Sequence, residues 1–497
     1  MIVDPAYEPR EGLTHRDADW SGLRVLVVGL GLSGFAAADA LAERGARVTA
    51  VSPDVTDVIT ERAEVLRILG VDVRLGPQHA QAPEPATQLV VTSPGVPPHD
   101  PLLLAAAADA IPVWGEVELA WRMRAREGAA PWLTVTGTNG KTTTVTMLAS
   151  ILRSAGLRAT SAGNVGTPIL EAVLHPQPYD VLAVELSSFQ LHWQRSVSAV
   201  ASAVLNVAPD HLDWHGSYAE YLRAKGRIYD NTHIACVYNV DDVQTEQLVL
   251  EAEVVEGCRA VGFTTGIPAP SMLGVVDGVL ADRAFVEQRH HAAAELCTVA
   301  DLGGGDAGPV APHYLANAVA AAALARAYGV GPLSVRDGLR AFRPAPHRAT
   351  HVAEAGGVRW VNDSKATNPH AAAAALRSFD SVVWIAGGLL KGADVAVLVE
   401  EVATRLRGVI LLGRDRAQIA DALARHAPDV PVLDVPETDT GVMDLVVALA
   451  ARLAREGDVV LLAPAAASMD MFVNYAARGD AFEEAVRRHL RAGGGPR

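Results

Sequence analysis

Apolar and polar positions along this chain fall into short blocks that read repeatedly as strand, loop and helix. An apolar run at 24–28 enters GLGLSG, followed by an alanine-rich helix to about residue 44 and a second strand at 47–51. Runs at 89–91 and 111–113 continue the same α/β pattern. The stretch 121–131 is charged, then marked by Gly and Pro, and reads as a linker. A β-branched run containing Val135 and Thr136 then enters a turn of small residues, which opens a helix with apolar positions Val145, Met147, Leu148, Ile151 and Leu152. Strands at 181–184, 199–205 and 234–238 alternate with helical stretches, the last an alanine-rich helix ending around Tyr328. DLGGGDAGPVAP, 301–312, is expected to be a mobile loop, and FRPAPHR, 342–348, marks a second boundary. Beyond it, 382–386, 409–412 and 459–463 look like buried strands. No internal repeat is present, and the pattern predicts three α/β domains at 1–127, 128–344 and 345–497.

Composition narrows the class. A chain of 497 residues, half of them hydrophobic, can bury about three cores of roughly 150 residues each. A net charge of −15 argues against a nucleic-acid surface. Cys236, Cys258 and Cys297 have neither metal-ligand spacing nor a disulfide framework, as expected in a reducing cytosol. The N-terminus lacks the apolar core of a signal peptide, and no apolar run reaches the ~18 residues that would span a bilayer. These features predict a soluble cytoplasmic protein with no membrane or nucleic-acid partner.

The sharpest chemical signal is WLTVTGTNGKTTT at 132–144. Its glycines let backbone N–H groups close round phosphate oxygens, and the helix that follows adds its positive dipole end. Lys141 can reach outer phosphates and Thr142 can offer a hydroxyl to Mg²⁺. The G-x-x-x-x-G-K-[ST] spacing fails because Val135 stands five residues before Gly140, so the compact T-G-T-N-G-K-T-T form is a narrower signature. Gly29, Gly31 and Gly34 match G-x-G-x-x-G after a strand and before a helix. The second strand's tip reads Val51-Ser52-Pro53 with Asp54 beyond, so a diphosphate-bearing ligand is favoured over a dinucleotide, and both over a purely structural turn.

Other residues carry chemistry less specifically. Glu185 ends the run VLAVE, where either a Mg²⁺ ligand or a helix-starting carboxylate belongs. NVAPDHLDWHG at 206–216 offers His211, and less strongly Asp210 and His215, as ligands, although an Asx/Pro turn suits Asn206, Pro209 and Asp210 equally. Lys225 alone reads as a solvated lysine on a helix. His347 and Arg348 follow two prolines, and Arg348 suits a phosphate, a nucleobase or a surface ion pair. NDSKATN at 362–368 gathers a carboxylate, a cation and two hydroxyls between a strand and a helix. That is more than one helix cap needs, and it suits a small polar anion.

Assembled, these residues resemble the Mur ligase family throughout the chain. TGTNGKTT is shared widely in that family, while ELSSFQL (185–191), DHLDWHG (210–216), NDSKATN and GGLLKGAD (387–394) resemble its D-glutamate-adding members. The resemblance implies a Rossmann-like UDP-substrate domain, a central phosphate-loop ATP-binding domain with a mostly parallel sheet, and a Rossmann-like amino-acid-binding domain. It implies that Gly137, Thr138, Asn139, Gly140, Lys141, Thr142 and Thr143 hold ATP, bordered by Asn317, Arg348 and Asp363. Thr142 and Glu185 would hold one Mg²⁺, and His211 with Lys225 as a carbamate a second. Gly31, Leu32, Ser33 and Asn164 would take the UDP portion, and Ser187 and Gln190 the muramoyl-alanine. Lys365, Thr367, Lys391, Ser468 and Tyr475 would receive D-glutamate. Three positions depart from the family pattern. His313-Tyr314-Leu315-Ala316-Asn317 replaces His-Asn-x-x-Asn, Leu390 stands where Asp is common, and Ser52-Pro53 occupies the uracil side.

The implied activity is ATP-dependent joining of D-glutamate to UDP-N-acetylmuramoyl-L-alanine through an acyl phosphate, by a monomer in cytoplasmic peptidoglycan precursor synthesis. ATP between the last two domains would imply closure about FRPAPHR. A nucleotide-regulated sensor would not need NDSKATN, and an NAD-dependent oxidoreductase would leave the central phosphate loop unexplained.

Overall fold

A computed structural model describes residues 12–303, 310–343, 347–437 and 440–493. Residues 304–309 of the expected mobile loop, 344–346 of FRPAPHR and the first eleven residues lie outside that description. The chain forms two compact units: one takes the chain through Val207 and Trp214–Phe342, the other Ala208–Asp213 and the chain from Arg343.

The first unit holds two sheets. Strands β1 (Arg24–Val28), β2 (Arg47–Ser52), β3 (Asp72–Leu75), β4 (Leu89–Thr92) and β5 (Val113–Gly115) lie parallel in the order β3-β2-β1-β4-β5. The order reverses between β1 and β4, which opens a crevice at the strands' carboxyl ends, and GLGLSG leaves β1 there. A Cβ on Gly34 would stand 1.8 Å from the Gly29 carbonyl oxygen, so only glycine lets the Leu32–Glu43 helix start this close to β1. The expected strand at 111–113 starts only at Val113, because Pro112 has no N–H to give; its carbonyl accepts from Val90.

Strands β6 (Trp132–Thr136), β7 (Ala159–Gly163), β8 (Val181–Glu185), β9 (Ala201–Val204), β10 (Ala235–Asn239), β11 (Arg259–Phe263), β12 (Met272–Val276), β13 (Val279–Asp282) and β14 (Ala294–Thr298) form the second sheet. Its order is β14-β13-β12-β11-β10-β9-β6-β8-β7, parallel from β12 to β7, with β13 and β14 added through antiparallel pairings. Register places Glu185 beside Val135, two residues before the phosphate loop. The Pro312–Ala327 helix is buried on all sides from Asn317 to Ala325, so alanine suits close packing against the Lys141–Ser154 helix.

The expected linker at 121–131 begins later than its composition suggested. Trp121 and Arg122 complete the buried Glu116–Arg122 helix, and Trp121 meets Trp132 edge-on at 4.9 Å. Glu118 joins this helix to the second sheet's side of the unit. Its carboxylate accepts from Arg122 Nε at 2.6 Å and from the Arg195 and Ser196 amides at 2.8 and 2.9 Å.

The second unit is built on β15 (Thr350–Ala355), β16 (Val358–Asn362), β17 (Val382–Gly387), β18 (Leu406–Leu412), β19 (Val432–Asp434) and β20 (Val459–Leu462), ordered β15-β16-β20-β17-β18-β19. All neighbours are parallel except the β15–β16 hairpin. The NDSKATN turn follows β16, GGLLKGAD follows β17 and 463–474 follows β20, so three loops meet at the carboxyl ends of adjacent strands. Among the described residues, no helix is long and apolar enough to cross a membrane.

Candidate active site

In the first unit the chemistry gathers at the end of β6. The Lys141–Ser154 helix starts from Gly140, whose φ of +84° aims the following N–H groups back into the loop. Asn206, at the tip of neighbouring β9, clamps that loop. Its side chain accepts from the Asn139 amide at 2.9 Å and donates to the Asn139 carbonyl at 3.1 Å, and its own carbonyl accepts from Thr138 N at 2.9 Å. The Lys141 ammonium donates to the Gly137 and Thr138 carbonyls at 2.8 and 2.9 Å. It therefore sits over the cradle that the backbone forms, where an anionic phosphate would compete for it. Asn317 packs against the same turn, since a Cβ on Gly140 would lie 2.3 Å from its Oδ1.

Glu185 is 1% exposed, and among the described residues only one carboxylate oxygen has a partner: Asn164 Nδ2 donates to Oε1 at 3.0 Å. Oε2 is buried with no hydrogen-bond partner among the described residues. An uncompensated buried carboxylate oxygen is costly, and a cation beside it would remove that cost. Thr142, half-buried on the first helical turn, supplies a second oxygen of the type Mg²⁺ takes. Among the described residues, no group of three or more His, Cys, Asp or Glu is placed to hold a metal. A divalent ion here would draw most of its ligands from phosphate and water, which is the habit of Mg²⁺.

One neighbour of this site, Tyr221, was not visible as such in the sequence, and another, Lys225, was singled out only through the resemblance. Tyr221 joins its hydroxyl to Thr138 Oγ1 at 2.8 Å, and the Lys225 ammonium lies 4.7 Å from the Tyr221 ring centre. Lys225 is only 2% exposed, so the solvated surface lysine suggested by its helix alone is not what the fold makes of it. Asn164, expected on the UDP side, is tied to Glu185 through both its amide N–H (2.9 Å to the Glu185 carbonyl) and its side chain. Ser187 and Gln190 form a reciprocal capping box on the Ser188–His192 helix, with Ser187 N to Gln190 Oε1 at 2.9 Å and Gln190 N to Ser187 Oγ at 3.2 Å.

At the β1 end, Leu32 is exposed while Ser33 hydrogen-bonds the buried Glu116 carboxyl. Burial raises the Glu116 pKa, against the Ser33 hydroxyl and the Ile169 and Leu170 amides that stabilise its charge.

The second unit brings the NDSKATN residues together with the loops after β17 and β20. Asn362, fully buried, donates to Gly479 O at 3.2 Å and Glu483 Oε1 at 3.0 Å, pairs with His347 Nδ1 at 2.8 Å, and accepts from Ser364 N at 3.0 Å. Burial pushes the Asp363 carboxyl up to about 6, opposed by the Ala349 amide, which donates to it at 3.1 Å, and by the Arg348 charge. The Lys365 ammonium stands 3.9 Å from the centre of the Tyr475 ring. Asn368 caps the Pro369–Leu376 helix and reaches Asp210 Oδ2 at 3.3 Å. Lys391 is exposed, with a left-handed φ of +53°, whereas Leu390 beside it is buried in the apolar core. Ser468 is buried and its carbonyl caps the turn at Met471 and Phe472. His211, with φ +53° and its imidazole 3.7 Å from Asp210, groups with this unit, whereas Lys225 groups with the first.

One further residue is central to the unit: Arg478, 1% exposed, inserts its guanidinium between the loops. It donates to Ser364 Oγ at 3.0 Å, Ser364 O at 2.9 Å and Ala466 O at 3.1 Å.

Three family descriptions match the chain: "Mur ligase MurD-like, N-terminal domain" over 23–115, "Mur ligase middle domain" over 135–325, and "Mur ligase, glutamate ligase domain" over 347–466. A protein of Streptomyces avermitilis named UDP-N-acetylmuramoylalanine--D-glutamate ligase is 60% identical, covering 94% of this chain and 99% of its own length. The like-named protein of Streptomyces coelicolor is 58% identical over 95% of this chain and 99% of its own. Among solved structures, the fold is similar to the UDP-N-acetylmuramate-alanine ligase MurC of Thermotoga maritima (TM-score 0.53, 19% identity, 95% of this chain and all of that one). It is also similar to the MurF ligase of the same organism in complex with ADP (TM-score 0.53, 18% identity, 97% of this chain and all of that one).

Proposed function

Because this chain belongs to the Mur ligase family, we propose that it joins D-glutamate to the alanyl carboxylate of UDP-N-acetylmuramoyl-L-alanine at the expense of ATP. The observation that carries the reading is identity of 60% over almost the whole length of a relative bearing that name. In the reaction the γ-phosphoryl of ATP passes to the alanyl carboxylate, giving an acyl phosphate and ADP. The D-glutamate amine then attacks the activated carbonyl, and inorganic phosphate leaves as the amide forms and the amine loses a proton. No protein nucleophile is needed.

What the chain supplies is position and charge. The backbone N–H groups of Gly137–Thr143 and the Lys141 ammonium hold the phosphates and meet the charge that spreads over the transferring group. For this, Lys141 exchanges its two loop carbonyls for phosphate oxygen. Glu185 Oε2 and the Thr142 hydroxyl would hold a Mg²⁺ ion, which would supply charge neutralisation at the phosphates. Lys225 as a carbamate would supply an anionic oxygen for a second ion. Its burial beside the Tyr221 ring supports that form, because carbamylation replaces a poorly solvated ammonium with an anion that a metal can neutralise. GLGLSG, at the switch point of the first sheet, takes the UDP portion.

D-Glutamate falls to the second unit: Thr367 and Lys391 take one carboxylate, and Ser468 with the backbone near Tyr475 the other, with Lys365 adding a positive field. We place the protein in the cytoplasm as a monomer, where these precursors are made. The test is kcat/KM for D-glutamate, L-glutamate and L-alanine with UDP-N-acetylmuramoyl-L-alanine as acceptor. Inverting the stereocentre with both carboxylates anchored swings the amine away, and a displacement of about 1 Å can cost about 100-fold. L-Alanine lacks the second anchor and leaves its polar partners unpaired. Turnover with either L-amino acid equal to that with D-glutamate would overturn the assignment.

A further inference from the structure

We infer that Arg478 is the positioning residue of the amino-acid subsite, setting where Lys365, Thr367 and Ser468 present themselves to the incoming dicarboxylate. The inference deepens the proposed function and rests on it for the identity of those substrate-facing groups.

The argument begins with how the guanidinium is used. Three of its four hydrogen bonds go to one side-chain hydroxyl and two main-chain carbonyls, on two different loops: Ser364 in the turn after β16 and Ala466 in the turn after β20. A third loop end, Gly387 at the close of β17, lies at 3.5 Å from Nη1. The three loops that carry the substrate residues therefore share one cation. Its planar fork fixes the direction of each donor, which a lysine on a flexible stem would not do.

The helix that carries Arg478 reinforces the same turn. Ser364 Oγ donates to Tyr475 O at 2.8 Å while accepting from Arg478, and the Tyr475 ring lies under the Lys365 ammonium. One helical turn thus grips the NDSKATN loop at its backbone, its hydroxyl and its cation. Burial lowers the Arg478 guanidinium to about 9, with Asp470 pulling the other way, so it remains charged at neutral pH. As a mere filler of space a charged group is a poor choice, since an apolar side chain would occupy the volume without desolvating a cation. The positive charge adds a second effect: held just beneath the loops, it draws the carboxylates of a net-anionic amino acid toward them.

The experiment compares wild type with Arg478→Lys, Arg478→Met and Ser364→Ala in two measurements. The first is acyl phosphate formed from ATP and UDP-N-acetylmuramoyl-L-alanine without any amino acid, trapped by borohydride reduction. The second is the full saturation curve for D-glutamate. The expected result is normal trapping in every variant, unchanged KM for ATP and acceptor, and a kcat/KM for D-glutamate lower by about 100-fold in Arg478→Met. Arg478→Lys and Ser364→Ala should shift it in the same direction by less, chiefly through KM. An unaltered D-glutamate curve, or equal losses for all three substrates, would overturn the inference. If Arg478→Met does not fold, the Lys and Ala variants decide by the same criterion. Failure of the underlying reading looks different, because wild type itself would then trap no acyl phosphate or would not use D-glutamate.

Discussion

Replacing Gly140 by alanine tests whether the turn into the phosphate-binding helix is held by a single close approach. Gly140 has φ +84°, and an added Cβ would meet Asn317 Oδ1 at 2.3 Å, far inside contact distance. Two costs arise. A left-handed backbone costs an L-residue about 1–2 kcal/mol, and driving the buried Asn317 amide off its rotamer adds about 0.5–1.5 kcal/mol. Together they come to about 1.5–3.5 kcal/mol; if the loop relieves them by leaving its phosphate-binding shape, nucleotide affinity falls by about 10- to 400-fold. The assay is titration with ADP, or with a non-hydrolysable ATP analogue, by calorimetry. Asn317→Ala removes the obstruction without touching the backbone, so Gly140→Ala/Asn317→Ala should bind better than the sum of the two single losses allows. The recovery should be about 1 kcal/mol, and the backbone share should remain. Strict additivity in this cycle, or wild-type affinity in Gly140→Ala, would show that the close approach does not govern the loop.

Lys141→Ala should leave secondary structure and unfolding temperature near wild type while abolishing phosphate release, because the ammonium bonds two loop carbonyls that can turn to water, whereas in the proposed reaction it is the cation that meets the transferred phosphoryl. Near-normal turnover in the folded variant would end the phosphoryl-transfer reading. Asp363 predicts a pH dependence: its folded value of about 6 lies above the ordinary 3.8, so the favourable contribution of its proton is complete below about 3.8 and is lost as pH rises through about 6. Asp363→Asn, which can still accept from Ala349 N, should therefore gain stability on wild type as pH is raised across that window. Urea midpoints that keep a constant gap from pH 4 to 7 would contradict it.

Much of the molecule is legible in sequence because its chemistry is contiguous. TGTNGKTT carries the turn, the helix start and the lysine proposed to face phosphate in eight residues, and β6 and β8 follow from a β-branched run and an apolar run beside it. The antiparallel β12–β14 extension was less legible, since short strands such as Val279–Asp282 offer too few positions to separate a period of two from noise. Trp121 and Arg122 looked like linker because charge was read without the partners that bury it, Glu118 and Trp132. Ser187 and Gln190, expected along the muramoyl-alanine, also serve each other: the fold uses both side chains in a reciprocal capping box.

What local reading misses is what holds a motif in place from a distance. Asn206 grips Asn139 across 67 residues of sequence, and Arg478 grips Ser364 across 114, so neither partner can be inferred from its neighbours. Yet Arg478 left a trace. In YAARGDAFEEAVRRHLR the apolar stripe runs through Phe482, Ala485 and Val486, and stepping back one turn from Phe482 lands on Arg478 rather than on a hydrophobic residue. The other arginines of that helix, at 487, 488 and 491, fall outside the buried set. An arginine on the core-facing stripe of an amphipathic helix must either be paired or be bonding backbone, because burial without partners is too costly. Here the stripe points the guanidinium at the turns that end β16 and β20, and its hydrogen bonds close on both. The conflict between a helix's period and one charged residue on it was thus the sequence's own sign that a site is held there.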